Sequence, residues 1–502
     1  MQTRRELLRH LASGLAFLGL AACDDGAAGA GDAGRGRDGG GGPDGGGGPD
    51  GGGGLDAGSA DGALVDAEGR WWLSGNFAPV ADEVELVDLE IEGALPPALS
   101  GTYVRNGSNP HAADSRHWFL GDGMLHGLRL EAGQARWYRN RYIRTSLFDG
   151  TAAGGPVPTI RDNHSNVSQV LHAGRLLTLG EVGLPYQVDP ADLSTVGVHD
   201  FAGALQTAMT AHPKVDPVSG ELVFFGYWFL PPYLTYHVAD ATGALTYSQP
   251  VDLPASVMMH DFAITATRVV FMDLPILFSL PLATQGATFP FEWKESHGAR
   301  LGVMPRAGGE VRWFDIDLCY VFHVLNAYDE PDGRLVLDVV RHPRLWVDGP
   351  EDFTSDPRLW RYTLDPATGA VTEAPLGEDP LEFPMADRRW TGQPHRIGYG
   401  VGSVGRDFLG PDAAHRLLRY DLLTGDVTRR DLPVGVQSSE ALFVPGGPGE
   451  AEGWLLAWQY DRARNASDLA VYDATDLSPV ARVKLPRRVP FGFHGAFVAD
   501  EA

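Results

Sequence analysis

The sequence predicts an all-β body, a seven-bladed β-propeller, and three observations carry that prediction. Short strand-like apolar runs recur along the chain, one hairpin sequence is repeated, and its copies from Tyr186 to Tyr236 and from Tyr420 to Tyr472 fall about 50 residues apart. The runs are Arg175-Leu-Leu-Thr-Leu, Glu221-Leu-Val-Phe-Phe, Arg268-Val-Val-Phe-Met, Arg334-Leu-Val-Leu-Asp and Gly453-Trp-Leu-Leu-Ala-Trp. Each follows Gly or a polar turn residue, as strands do.

The repeated hairpin is clearest in Tyr236-His-Val-Ala-Asp-Ala-Thr-Gly-Ala-Leu, Tyr362-Thr-Leu-Asp-Pro-Ala-Thr-Gly-Ala-Val and Tyr420-Asp-Leu-Leu-Thr-Gly-Asp-Val. Looser copies begin at Tyr186 and Tyr472. Asp and Thr-Gly supply the turn, because Gly tolerates the positive φ that a tight hairpin demands. Repeats of roughly 40–50 residues with several strands each are the signature of propeller blades, and about seven fit the body. A pair of β-sandwich domains is the alternative, but sandwiches need not repeat a hairpin. In a propeller the inner strands converge on one axis, so chemistry is to be sought in scattered single residues.

The body is expected to span residues 70–502. Residues 1–23 read as an export signal: a basic start, then an apolar stretch at 11–22 too short to span a bilayer. Thr3-Arg4-Arg5 before Leu7-Leu8 resembles a twin-arginine signal, and Leu20-Ala21-Ala22-Cys23 resembles a lipobox, in which the cysteine is lipidated. Residues 24–69 are dominated by Gly, Asp, Ala and Pro and read as a disordered tether. The expected location is therefore outside the cytoplasm, lipid-anchored at Cys23 on the periplasmic or cell-surface face of a bacterial membrane.

Composition narrows the partners. The net charge of −25 argues against nucleic acid or an anionic lipid surface. Membrane contact would run through the lipid and an apolar patch. Once Cys23 is assigned to the signal, Cys319 is the body's lone cysteine, so no internal disulfide or thiolate metal site is expected. No GxSxG, HExxH or P-loop motif occurs, and the Gly-rich tether lacks the strand and helix that a phosphate cradle needs.

Four histidines remain, each beside or within apolar, strand-like sequence. They are His212 in Ala-Met-Thr-Ala-His-Pro, His260 in Met-Met-His-Asp-Phe, His323 in Val-Phe-His-Val-Leu and His494 in Phe-Gly-Phe-His-Gly-Ala-Phe. Taken singly, each reads more readily as a hydrogen-bonded core histidine than as a ligand.

Taken in order with their flanks, they resemble the iron ligands of the carotenoid oxygenases. That family includes the retinal-pigment-epithelium isomerase and the stilbene-cleaving oxygenases. The resemblance extends to Gly101-Thr-Tyr-Val-Arg-Asn-Gly, His117-Trp-Phe-Leu-Gly-Asp-Gly-Met-Leu-His126, Arg141-Tyr-Ile-Arg-Thr, His172-Ala-Gly-Arg-Leu-Leu, Phe322-His-Val-Leu-Asn-Ala-Tyr-Asp-Glu and Glu382-Phe-Pro. It implies Fe(2+) held by His212, His260, His323 and His494, with a helical and loop cap over the iron-bearing face. It also implies that Glu181 supports His260, Glu382 supports His323 and Glu440 supports His494, while His212 has no carboxylate. Val167 aligns with a position beside the open iron site, often threonine in the family. Four neutral imidazoles suit a divalent first-row metal, and a carboxylate on the distal N–H fixes the tautomer.

The activity implied is oxidative cleavage of a C=C bond by O2 into two carbonyl products. Tyr227-Trp-Phe-Leu-Pro-Pro-Tyr and Leu274-Pro-Ile-Leu-Phe-Ser-Leu are candidate walls for an apolar polyene, or alternatively ordinary packing. His117-Trp-Phe and Leu125-His126 look more like the carotenoid and apocarotenoid cleavers. The stilbenoid cleavers anchor a phenol with a lysine soon after Arg-Tyr-Ile-Arg-Thr, where Ser146 and Leu147 stand here. A carotenoid or apocarotenoid therefore ranks first and a stilbenoid second. Retinoid isomerisation and carotenoid binding without turnover stay open on the same fold.

Overall fold

The computed structural model describes residues 70–152, 159–350, 352–404 and 413–500. The signal-like start, Cys23 and the tether lie outside the described residues.

Seven antiparallel sheets form the blades, and they account for almost all of the regular structure. Five are continuous in sequence. The first runs from Ser168–His172 to Thr195–Val198, the second from Lys214–Val215 to Leu245–Val251, and the third from Ala263–Ile264 to Arg312–Asp315. The fourth runs from Tyr320–Asp329 to Val371–Pro375 and the fifth from Leu381–Met385 to Val427–Asp431. The last two blades are built from both ends of the body. The sixth takes Glu90–Gly93 as its outermost strand, paired with Pro479–Lys484. The seventh pairs Gly495–Ala499 with Gly101–Ser108.

The expected runs and hairpins occupy fixed places in this plan. All five apolar runs lie in second strands, which are covered on both faces. The six residues of Leu222–Tyr227, for example, are all buried. Such strands need no polar alternation, whereas the outer strand Leu245–Val251 alternates between intermediate and exposed positions until its last residue. The Tyr hairpins join third to fourth strands, as in Leu234–Ala239 with Leu245–Val251 and Arg358–Leu364 with Val371–Pro375. Their turns follow the expected chemistry: Asp240 Oδ1 accepts from the Thr242 and Ala244 N–H groups, and Gly243 takes φ +88°.

The cap contains little helix. It consists of loops and 3-10 turns, one two-stranded hairpin (Ile276–Phe278 with Phe291–Trp293) and the five-residue α-helix Leu280–Thr284. Aromatic side chains hold it together, with Trp118, Phe119, Phe289, Trp346 and Phe353 in edge-to-face or tilted contact. Among the described residues no helix is long and apolar enough to cross a membrane.

Candidate metal centre

The four histidines come from four different blades and meet on the axis. One ring nitrogen from each lies within 4.8 Å of the others, and His212 Nε2 is 2.9 Å from His260 Nε2. A metal–imidazole bond of about 2.1 Å gives cis nitrogens about 3 Å apart. His323 Nε2 is buried and has no hydrogen-bond partner, an orphan that a metal would satisfy. Geometry and donor set therefore fit a divalent first-row ion.

Local sequence explains each placement. Thr210 turns the chain into His212, its N–H donating to Phe225 O at 2.7 Å and its Oγ1 accepting from the His212 N–H at 3.1 Å. His323 sits in a bulge, where the pairing register shifts between Val321 and Val324. A bulge re-aims a side chain that regular alternation would have turned into a sheet face. His494 depends on Gly492, whose Cβ would lie 1.5 Å from Arg105 Nη1. Arg105 is fully buried there and donates from Nη2 to Pro490 O at 2.5 Å. The Phe493 N–H then donates to Asn106 O at 2.9 Å.

The three glutamates stand where the resemblance implies. Glu181 Oε2 is 2.8 Å from His260 Nδ1, Glu382 Oε2 is 2.6 Å from His323 Nδ1, and Glu440 Oε1 is 2.9 Å from His494 Nδ1. Among the described residues His212 has no carboxylate partner. Val167 is buried on the cavity wall beside them. Burial would raise the Glu382 and Glu440 carboxyls, but the facing imidazoles hold both below the usual range. Burial and the three neighbouring rings keep His212 well below the usual histidine range, hence neutral and free to ligate.

Sequence reasoning missed a further ring of contacts. The second oxygen of each carboxylate is also used: Glu181 accepts from Tyr227 at 3.0 Å, Glu382 from His342 at 2.6 Å and Glu440 from the Gly495 N–H at 2.6 Å. Asp261, next to His260, ties three of the ligand segments together. It accepts from Lys214 Nζ at 2.7 Å and from the Val324 N–H at 2.8 Å, beside His212 and His323 respectively. Buried acidic residues next to a ligand were the signal available, and Met-Met-His-Asp carried it.

A cavity of about 200 Å³ reaches His260, His323 and His494 from the cap side. Its wall is largely aromatic and aliphatic, including Trp118, Phe119, Phe278, Phe289, Phe322 and Phe353. Of the two segments proposed from sequence as walls, Tyr227, Trp228 and Phe229 line it, and so does Phe278.

Residues 77–499 match the family described as retinal pigment epithelial membrane protein. The chain is 38% identical over 485 residues to a carotenoid cleavage oxygenase of Mycobacterium tuberculosis, covering 84% of this chain and 96% of that one. Among solved structures it is similar to the lignostilbene dioxygenase of Pseudomonas brassicacearum, with a TM-score of 0.78 and 29% identity over 86% of this chain and 98% of that one. It is also similar to a cobalt-substituted Synechocystis apocarotenoid oxygenase, with a TM-score of 0.74 and 27% identity over 84% and 97% of the two chains.

Proposed function

The chain belongs to the retinal pigment epithelial membrane protein family, and from that premise we propose that it is an iron(II) dioxygenase cleaving a C=C bond of a carotenoid or apocarotenoid. The observation that carries this is the four-histidine cluster opening onto an apolar cavity. One alkene and one O2 give two carbonyl products, so both oxygen atoms are accounted for without a further reductant.

In this reading His212, His260, His323 and His494 hold the ion, which when bound supplies the redox chemistry that lets O2 react with an alkene. The chain's own groups do the rest. Glu181, Glu382 and Glu440 keep the Nδ1 protons on His260, His323 and His494, so that each Nε2 lone pair points to the axis. The largely aromatic and aliphatic wall takes a water-insoluble polyene, and its apolar surface disfavours bulk water beside the reacting carbons. Val167 presents methyl groups beside the centre, restricting what can approach on that side.

A stilbenoid substrate is the second reading, favoured by the similarity to the lignostilbene dioxygenase and by the aromatic rings of the wall. Incubating the iron-loaded protein with carotenoids, apocarotenals and hydroxystilbenes under labelled O2 separates the possibilities. Labelled carbonyl fragments from a polyene support the first reading, and fragments from hydroxystilbenes alone support the second. An isomerised or unchanged polyene with no labelled product overturns cleavage. His260→Ala with full iron content would refute the ligand assignment.

We also propose that the enzyme is exported and lipid-anchored through Cys23, supported by the Arg4-Arg5 start, the lipobox-like run and the Gly/Asp/Pro tether. Changing Arg4 and Arg5 to lysine is expected to strand the protein in the cytoplasm, and Cys23→Ser to release it from the membrane. Unchanged fractionation of both variants overturns the proposal.

A further inference from the structure

Two cavities reach the four histidines from opposite sides. The apolar one borders His260 but not His212. The other, about 390 Å³, borders His212 but not His260, and both border His323 and His494. This second cavity is lined by the innermost strands of five blades, so it follows the propeller axis. Its wall is mixed, with Ser168, Gln169, Lys214, Asn326 and Asp387 among aliphatic groups.

We propose that this axial cavity is the route by which the metal ion enters and leaves, separate from the substrate cavity, with Arg388 as its electrostatic gate. The inference rests on reading the histidines as a metal site. A divalent cation travels with its hydration shell and gives it up only to polar groups. Asp162, Asn163, Asn166, Ser256 and Ser355 also touch the apolar cavity, but most of its surface is aromatic and aliphatic, so it offers a hydrated ion the poorer path. The axial cavity can hold water alongside the ion. It also leads to His212, which like His323 is only partly buried, and which among the described residues has no carboxylate to fix its ring.

Arg388 sets the rate in this scheme. Protein hems it in, yet its side chain meets solvent, as befits a group on the wall of an internal channel. It donates to Gly495 O at 3.2 Å, and no carboxylate lies within ion-pair range among the described residues. Its neighbours are neutralised: Arg389 pairs with Asp387 at 2.6 Å and Lys214 with Asp261 at 2.7 Å. Glu440, on the same wall, is its electrostatic counterpart, but it lies beyond ion-pair range and already accepts from His494 and the Gly495 N–H. A cation moving along the axis therefore passes the Arg388 charge, which slows both loading and escape. Once inside, the ion is retained kinetically.

The test follows iron release from the holoprotein to a coloured ferrous chelator. Ala386→Trp, which narrows the axial cavity, is expected to slow release severalfold while leaving KM for the polyene unchanged. Val182→Trp, which narrows the apolar cavity, is expected to raise KM and leave release unchanged. Arg388→Gln is expected to accelerate release about tenfold at low salt, and the difference should shrink as salt screens the charge. Release that is slowed by Val182→Trp, or unaltered by both Ala386→Trp and Arg388→Gln, overturns the proposal. Should Ala386→Trp not fold, an unaltered rate in Arg388→Gln suffices to overturn it. A wild-type protein that holds no iron would instead refute the metal centre itself.

Discussion

Tyr227 donates its phenol hydrogen to Glu181 at 3.0 Å, on the oxygen not facing the metal centre. Because Tyr227 also lines the apolar cavity, a wall residue and a metal-centre carboxylate are joined by one bond. Tyr227→Phe removes the bond and keeps the ring. Groups supporting ligands directly are worth about 10–100-fold in metal affinity or activity, and a group one step further out should cost about tenfold or less. Iron titration of the variant checks this, and an unchanged affinity would show that Glu181 is held by packing alone.

His342 plays the corresponding part for Glu382. The carboxylate accepts from His323 Nδ1 and His342 Nε2 at 2.6 Å each, and from the Phe383 N–H at 2.8 Å. His342→Phe leaves a buried acceptor partly unsatisfied, costing about 1–3 kcal/mol. The expected outcome is weaker iron retention with an altered ferrous spectroscopic signature. His342→Gln, which can still donate, should restore much of both.

Asp261 should be the costliest of these positions to alter. Its carboxylate is 2% exposed, is paired with Lys214 and accepts from the Phe262 and Val324 N–H groups. Breaking a buried pair by neutralising one partner costs about 3–5 kcal/mol. Asp261→Leu should lower the thermal midpoint and lose iron together, whereas Asp261→Asn should soften both effects. Stability that falls without loss of iron would separate the scaffold from the metal centre.

A pH response follows from His117. Its Nδ1 accepts from the Phe119 N–H at 3.1 Å while Nε2 lies 3.1 Å from Pro350 O, so the folded ring is neutral, and burial brings it down to about 4. The unfolded chain takes up this proton near 6.5. The contribution to stability is thus complete above about pH 6.5 and declines as pH falls toward 4, by about 3 kcal/mol in all. His117→Asn, which can still accept the Phe119 N–H, should show a shallower loss of thermal midpoint between pH 7 and pH 5.

The parts of the fold that were legible in the sequence were those that repeat. The Tyr-to-Thr-Gly hairpin marks a blade because its turn chemistry is local; it appears in three of the seven, and looser copies without Thr-Gly mark two more. The third blade showed only its second strand, Arg268–Asp273, because the cap hairpin separates that strand from Arg300–Pro305 and the last turn does not use Asp and Thr-Gly. The seventh was not complete in any local pattern because its strand Gly495–Ala499 lies some 390 residues from Gly101–Ser108, with which it pairs. At the centre, the four histidines and three glutamates were legible through their flanks. Tyr227 and His342 were not, because each sits in an ordinary buried strand and only its partner across the blade interface gives it a role. Asp261 stood next to a recognised ligand, but its bond to the Val324 N–H depends on a bulge in another blade.

His494 immediately precedes Gly495–Ala499, the strand that fastens the seventh blade to the start of the body. During synthesis it is also the last of the four ligands to leave the ribosome. Until it emerges the nascent chain can offer an ion three imidazoles at most, and the fourth joins them as the ring shuts. Ring closure and completion of the centre are in effect one event. An ion bound afterwards acts as a latch on the circle, since opening the terminal strand pulls away a ligand. Resistance to unfolding should then rise with free iron concentration, as for any species that binds the folded state alone.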